Sequence, residues 1–153
     1  MNQTNPYYEV DVSSTAGTSP AWTAKLLFVA VNAWSPAQDA WLKTALARST
    51  TYTFVVSHEP TADPRDPGVT PADAAIAQAK VTMVLCGHTH ELAFDTRANQ
   101  LIVGNGGAPI SHGSYGYAVV SQMADGNIAL IGYDLMGNPL EAGKVTPAGK
   151  PVP

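Results

Sequence analysis

The chain has 153 residues, which is enough for one domain, and 45% of them are hydrophobic, which argues against intrinsic disorder. Only 13% are charged, and the eight basic residues are scattered against twelve acidic ones, so we expect no nucleic-acid binding. The sequence has no apolar run of about 20 residues and no signal peptide. We therefore expect a soluble protein without a membrane partner, in a compartment that the sequence leaves unassigned.

The first part of the chain predicts strands that alternate with helices. Ser35 and Pro36 give a helix N-cap and first helical residue, and Thr70 with Pro71 gives the same signals for a second helix that runs to Ala79. The apolar runs predict buried strands, except for the first strand, whose alternation predicts that only one face is buried. These predicted strands cover 7–12, 26–31, 51–57 and 81–86.

The chain beyond residue 88 predicts β structure alone. A Gly-rich loop covers 104–116, and Asp125-Gly126 is typical of a two-residue hairpin turn. The organisation as a whole predicts an α/β fold with a mixed sheet or two packed sheets and two short helices on an outer face. We assign 1–146 to this single domain and 147–153 to a flexible tail. The strands predicted in this part cover 91–96, 101–103, 117–123, 127–134 and 140–145.

Histidines mark the candidate site. His58 follows the strand 51–57, and His88 and His90 follow the strand 81–86. Because both strands are predicted to be buried, we expect their carboxyl ends to be neighbours. In an extended segment, His88 and His90 would point to one face, with Gly87 permitting the turn before them. Neutral imidazole is a common ligand of zinc and similar ions, so these histidines predict a metal site; unliganded surface histidines are the alternative.

Three segments of the sequence together carry a resemblance to a known family. They are the strand that leads into His58-Glu59-Pro60, then Val84-Leu85-Cys86-Gly87-His88-Thr89-His90, and Val103-Gly104-Asn105-Gly106-Gly107-Ala108-Pro109. These segments resemble the C-terminal half of a calcineurin-like metallophosphoesterase, in its purple-acid-phosphatase-like branch. The resemblance implies a partial metallophosphoesterase β-sandwich that ends in a β-meander. It also implies hydrolysis of a small-molecule phosphoester by metal-activated water, with zinc, manganese or iron as the divalent metal. By match to the family pattern, His58 and His88 would bind one metal and His90 the other.

The chain departs from the family where the N-terminal metal ligands are expected. It contains no Asp-x-His, no Gly-Asp-x-x-Asp and no Gly-Asn-His motif, so the resemblance is to a truncated domain without the bridging carboxylate. A loop carboxylate could replace it, although such groups are more often only solvated. The candidates for this role are Glu59, Asp63, Asp66, Glu91 and Asp95.

Several further residues border the expected site. His112, Asn105 and Gly106 could contact substrate or a metal ligand, or could serve only the Gly-rich loop. Cys86 could be a soft ligand, but a small buried thiol is the better interpretation.

An alternative to the enzyme is a non-catalytic metal-binding or assembly module. Without an N-terminal half, apolar strands such as 26–31 would expose an edge or a face. We therefore expect a homodimer, or association with the missing half.

Overall fold

The computed structural model describes residues 5–17, 19–63, 65–107, 109 and 113–153. Among these residues, no helix is long and apolar enough to cross a membrane. A short 3-10 turn, Val31–Ala33, precedes the first helix. The helices and strands, in chain order, are β1 (Tyr8–Ser13), β2 (Thr23–Phe28), α1 (Pro36–Ala47), β3 (Tyr52–Val56), α2 (Val69–Ile76), β4 (Met83–Cys86), β5 (Leu92–Asp95), β6 (Gln100–Val103), β7 (Gly116–Gln122), β8 (Ile128–Asp134) and β9 (Pro139–Val145).

A six-stranded mixed sheet forms the centre of the molecule, with strand order β1-β2-β3-β4-β6-β5. Strands β2, β3, β4 and β6 are parallel, and the two edge strands, β1 and β5, are antiparallel to their neighbours. Helices α1 and α2 provide the crossovers that join β2 to β3 and β3 to β4, as parallel pairing requires. The predicted α/β class with a mixed sheet is confirmed.

A second sheet, β7-β8-β9, is antiparallel and packs on the face of the first sheet that the helices leave free. Its first two strands form the predicted hairpin at Asp125-Gly126, but the turn has three residues instead of the two expected. The N–H of Met123 donates to the Asn127 carbonyl at 2.8 Å, and between them Gly126 has a φ of 80°, whereas Asp125 has no positive φ. One core lies between the helices and the first sheet, around Leu27 and Val55. The other core lies between the two sheets, around Met83 and Leu130.

Helix α1 begins as the sequence predicts. The side chain of Ser35 accepts a hydrogen bond from the backbone N–H of Gln38 at 3.2 Å, and Pro36 is the first helical residue. The other end of the helix depends on a residue of the neighbouring strand. Lys25 is fully buried in β2, and its ammonium donates hydrogen bonds to three backbone carbonyls at the helix C-terminus. These carbonyls belong to Ala45, Leu46 and Arg48.

Helix α2 does not begin as predicted. Its N-cap is Gly68 and makes no side-chain cap hydrogen bond, and Thr70 lies inside the first turn. The cause is a close approach between chain segments. A Cβ on Gly68 would lie 2.6 Å from both the Trp34 ring and the Val31 carbonyl oxygen. Packing against the 3-10 turn therefore determines where this helix starts, and the prediction of a Thr70 cap was wrong.

Strand β1 also differs from expectation. The alternation of residues 7–12 predicts a half-buried strand, but all six residues of β1 are exposed. The core between the two sheets draws on β2, β3, β4 and β6 and, among the described residues, on none from β1. Among the described residues, the three strands of the second sheet leave this edge uncovered.

The residues assigned to the tail lie against the domain in the structure. The N–H of Val152 donates to the Lys144 carbonyl at 2.9 Å, and the hydroxyl of Thr82 donates to the Pro147 carbonyl at 2.8 Å. The chain turns back after Val145, which forms a single antiparallel bridge to Pro151, so these residues lie alongside the end of β9.

Candidate metal centre

The candidate site lies where three adjacent parallel strands end. β3 and β6 flank β4, so the loops that follow these three strands meet at one edge of the sheet. The backbone ties the loops together, because Gly87 N–H donates to the His58 carbonyl at 3.0 Å and Gly104 N–H donates to the Glu91 carbonyl at 2.7 Å. The prediction that the strands before His58 and His88 are neighbours is confirmed. Such an edge is the usual place for a binding site in an α/β sheet.

His58 and His88 form the centre of this site. His88 Nδ1 lies 3.2 Å from His58 Nε2, and the two rings are nearly perpendicular, with an interplanar angle of 86°. His88 adopts a left-handed backbone conformation with a φ of 65°. This conformation is uncommon for a residue other than glycine, and it sets the direction in which the imidazole leaves the chain.

Glu59 is the third member of the group. One ligand atom from each of His58, Glu59 and His88 lies within 4.8 Å of the other two. Glu59 is only 7% exposed, and burial raises the pKa of its carboxyl, with a further increase from a hydrogen bond to Asp66. Of the loop carboxylates considered from the sequence, this one forms a cluster of possible ligand atoms with both histidines.

Two side chains from other elements, the buried Gln100 and the half-buried Asp73, hold the loop that carries Glu59. Gln100, in β6, accepts hydrogen bonds through Oε1 from the Thr61 backbone N–H at 2.9 Å and from the Thr61 hydroxyl at 3.0 Å. Asp73, in α2, accepts a hydrogen bond from the Ala62 N–H at 2.7 Å. Sequence reasoning did not identify Gln100; a glutamine directly before a predicted apolar strand was the available signal.

Asp63 and Arg65 lie on the outer side of His88. Asp63 Oδ2 is 3.9 Å from His88 Nε2, the nitrogen that faces away from His58. The Arg65 guanidinium pairs with both carboxylate oxygens and, as the largest cause, holds the pKa of Asp63 at about 2. Arg65 itself is mostly exposed, and the sequence analysis did not identify it. The Asp-x-Arg spacing was its only signal.

His90 lies apart from this group. Its Nδ1 is 2.9 Å from the Pro109 carbonyl oxygen, and the cluster found among the described residues does not include it. The segment is not extended as assumed, since His88 and His90 both have positive φ, whereas Gly87 does not. The alternation argument for a shared face was therefore wrong. The glycine that this segment requires is Gly104 and not Gly87, because a Cβ on Gly104 would lie 2.7 Å from the His90 backbone nitrogen.

The three remaining predicted site residues, all in the Gly-rich loop, are placed differently. Asn105 is 2% exposed and holds the Gly-rich loop, since its Nδ2 donates to the Ser114 carbonyl at 2.9 Å. Gly106 is exposed, with open space around the position of a Cβ. His112 lies outside the described residues.

Two other candidate ligands have structural roles. Asp95 accepts hydrogen bonds from the backbone of Arg97 and Ala98 and so stabilises the β5–β6 turn. Cys86 is buried against Gln100, and desolvation raises the pKa of its thiol to about 12. Because metals bind the thiolate, a thiol with this pKa is a poor ligand. Glu91 is exposed and is not part of the cluster found among the described residues.

The group formed by His58, Glu59 and His88 fits a divalent transition-metal ion. Two imidazole nitrogens and one carboxylate oxygen form a donor set that suits zinc, manganese and iron. Zn–N distances of about 2.0–2.1 Å at a tetrahedral angle place two ligand nitrogens about 3.3–3.4 Å apart. The observed separation between His88 Nδ1 and His58 Nε2 is 3.2 Å, so these two nitrogens need almost no movement.

Comparisons with known proteins leave the family open. No model of a known protein family matches the chain, and no curated protein matches it. A solved structure of a hypothetical protein from Thermus thermophilus is similar over 91% of this chain, with 13% sequence identity and a TM-score of 0.41. The chain spans 60% of the length of that protein. A likeness at this level carries no argument about function.

Proposed function

We propose that the chain binds one divalent cation, zinc, manganese or iron, through His58, Glu59 and His88, and uses it to hydrolyse a small-molecule phosphoester. The observation that carries the proposal is the convergence of three ligand atoms within 4.8 Å at the carboxyl edge of the sheet. Three protein ligands leave coordination positions open for water and substrate, as in catalytic metal sites.

The sequence resemblance supports the hydrolytic part of the proposal. His58-Glu59-Pro60 and Gly87-His88-Thr89-His90 occur in the order that the calcineurin-like metallophosphoesterases use, and here they follow adjacent parallel strands. The two packed sheets with helices on one face agree with the partial sandwich that this resemblance implies. The assignment to that fold belongs to the proposal.

Each residue of the group has a separate task. His58 and His88 supply neutral nitrogen donors, and Glu59 supplies the only negative charge within the ligand set. Arg65 pairs with Asp63 and presents an exposed guanidinium, which can contact an anionic phosphoryl group. A divalent cation at this point would lower the pKa of water and polarise a phosphoryl oxygen. Because the site would hold a single ion and has no bridging carboxylate, we expect slower turnover than in two-metal enzymes.

Paired binding and activity measurements test this proposal. Zinc and manganese are titrated into metal-free protein, and hydrolysis of an aryl phosphate is followed before and after chelation. We expect His88→Ala to lose both binding and hydrolysis, while His90→Ala, a matched histidine outside the cluster, keeps zinc binding. Zinc binding without hydrolysis would rule out the proposed enzymatic activity but not the proposed metal site. Equal zinc binding by parent and His88→Ala would overturn both.

The uncovered edge of the first sheet favours a second candidate, a non-catalytic assembly module. Tyr8, Val10 and Val12 of β1 are 37%, 42% and 42% exposed. As every second residue of an edge strand, they lie on one face. Exposed strand edges pair readily with other chains, so we propose a homodimer that covers this face. Light scattering at micromolar concentration tests it, and a single species near 16.0 kDa would contradict it.

A further inference from the structure

Asp63 is oriented by its own neighbour in the sequence. Its Oδ1 accepts hydrogen bonds from the Arg65 backbone N–H at 3.1 Å and from Arg65 Nε at 2.9 Å. The side chain of Asp63 is 11% exposed, and Oδ2 faces His88 Nε2 at 3.9 Å. This distance is too long for a direct hydrogen bond, so the carboxylate acts on the imidazole through its charge.

The position of this charge bears on the tautomer of His88. An ionised carboxylate only accepts hydrogen bonds, so it favours the tautomer in which Nε2 of His88 carries the proton. Nδ1 of a neutral His88 is then an acceptor. The 3.2 Å contact between the imidazoles requires one donor, which must be Nε2–H of His58.

We propose that Asp63 is a positioning residue that selects Nδ1 of His88, rather than Nε2, as the nitrogen that binds the cation. The selection of the cation-binding nitrogen rests on the proposed metal site, whereas the tautomer of His88 in metal-free protein does not. Nδ1 of His88 and Nε2 of His58 face each other, so an ion between them replaces the shared proton. His58 must then carry its proton on Nδ1, while His88 keeps its proton on Nε2. Carboxylates that accept a hydrogen bond from a ligating histidine typically improve metal affinity about 10–100-fold, so for a charge 3.9 Å away we expect the lower end of this range.

Nitrogen-15 NMR of the histidine rings reads these tautomers directly, at a pH where both rings are neutral. In metal-free protein we expect His58 and His88 both to be protonated on Nε2. Addition of zinc should move the His58 proton to Nδ1 and leave that of His88 on Nε2. A metal-free His88 protonated on Nδ1, or zinc bound to His88 Nε2, would overturn the proposal.

Three variants separate charge from shape. Asp63→Asn keeps an acceptor for the Arg65 N–H but removes the charge, Asp63→Ala removes both, and Asp63→Glu keeps the charge. We expect about tenfold weaker zinc binding and a smaller Nε2–H fraction for His88 in the first two, with recovery in the third. Asp39→Asn, which removes an ion-paired carboxylate on α1, is the matched control and should change neither readout.

The outcomes distinguish this inference from the proposed function. If the parent protein binds no zinc, the proposed function fails and the assigned cation-binding nitrogen fails with it, while the metal-free tautomers still decide the effect of Asp63 on His88. If zinc binds and folded Asp63→Ala matches the parent in affinity and tautomer, the positioning role fails and the metal site stands.

Discussion

Gln100 offers a test of how the site is held together, because its side-chain hydrogen bonds among the described residues are to Thr61 and Cys86 and not to the three ligand side chains. It is 5% exposed in β6, and its Oε1 accepts two hydrogen bonds from Thr61, two residues after Glu59. Gln100→Met keeps the length of the side chain and removes both hydrogen bonds. The loop that carries Glu59 then loses its tie to the sheet, and the carboxylate must be ordered when the cation binds.

The expected magnitude follows from these two hydrogen bonds. Each contributes about 0.5–1.5 kcal/mol, so their loss makes the ordered loop less favourable by about 1–3 kcal/mol. Since about 1.4 kcal/mol corresponds to a factor of ten, zinc affinity should fall about 5–150-fold if cation binding has to restore the loop.

A competition titration against a chelating dye measures this affinity, and urea unfolding in the absence of zinc checks that the variant folds. Gln122→Met is the matched control. Gln122 lies on β7, outside the site, and the substitution removes the hydrogen bond that it donates to the Tyr52 hydroxyl. We expect it to leave zinc affinity unchanged. A folded Gln100→Met protein that binds zinc as tightly as the parent would refute the claim that this loop is ordered for metal binding.

Three further predictions concern the fold around the site. Lys25→Met removes three hydrogen bonds to carbonyls at the C-terminus of α1 and should lower the free energy of unfolding by about 2–4 kcal/mol in urea; Lys43→Met, on the exposed face of α1, should lower it by no more than about 0.5 kcal/mol, and equal losses would contradict this. The Cys86 thiol, with a pKa of about 12, should resist alkylation at pH 8 until the protein is unfolded, so rapid labelling of folded protein would count against its burial. Lys144 lowers the pKa of Asp125 to about 2, so its stabilisation is present above the unfolded carboxyl pKa of about 3.9 and is lost as the pH falls towards 2. Asp125→Asn should therefore make stability fall less steeply over this pH range, and an unchanged slope would contradict the ion pair.

Local signals predicted the elements whose determinants are local. Ser35 and Pro36 gave the start of α1, and the apolar runs gave the parallel strands that α1 and α2 connect. The turn at Asp125-Gly126 gave the second hairpin. In each case the determining side chain or backbone conformation lies within a few residues of the element it defines.

The sequence-based predictions were wrong where distant segments determine the start of a helix or the burial of a strand. Thr70 carries a cap signal, yet the approach of Gly68 to Val31 and Trp34 moves the start of α2. Alternation in β1 indicates one buried face, but burial depends on whether another layer reaches that strand. Neither fact is encoded near the residues concerned.

The site shows the same division. Strand order brought His58 and His88 together as predicted, because both follow neighbouring parallel strands. The choice between Glu59 and His90 as their companion could not be read from spacing. It depends on a loop that Gln100 and Asp73 anchor and on two left-handed histidines, and these features arise only when the sheet and α2 assemble.

The location of a bound ion is the most direct test of the account. Crystals of the protein grown with zinc would give an anomalous difference map at the zinc absorption edge. We predict one peak about 2.0–2.2 Å from a nitrogen of His58, a nitrogen of His88 and a carboxylate oxygen of Glu59. A map with no peak among these three side chains, or with zinc held elsewhere in the chain, would contradict the proposed metal centre.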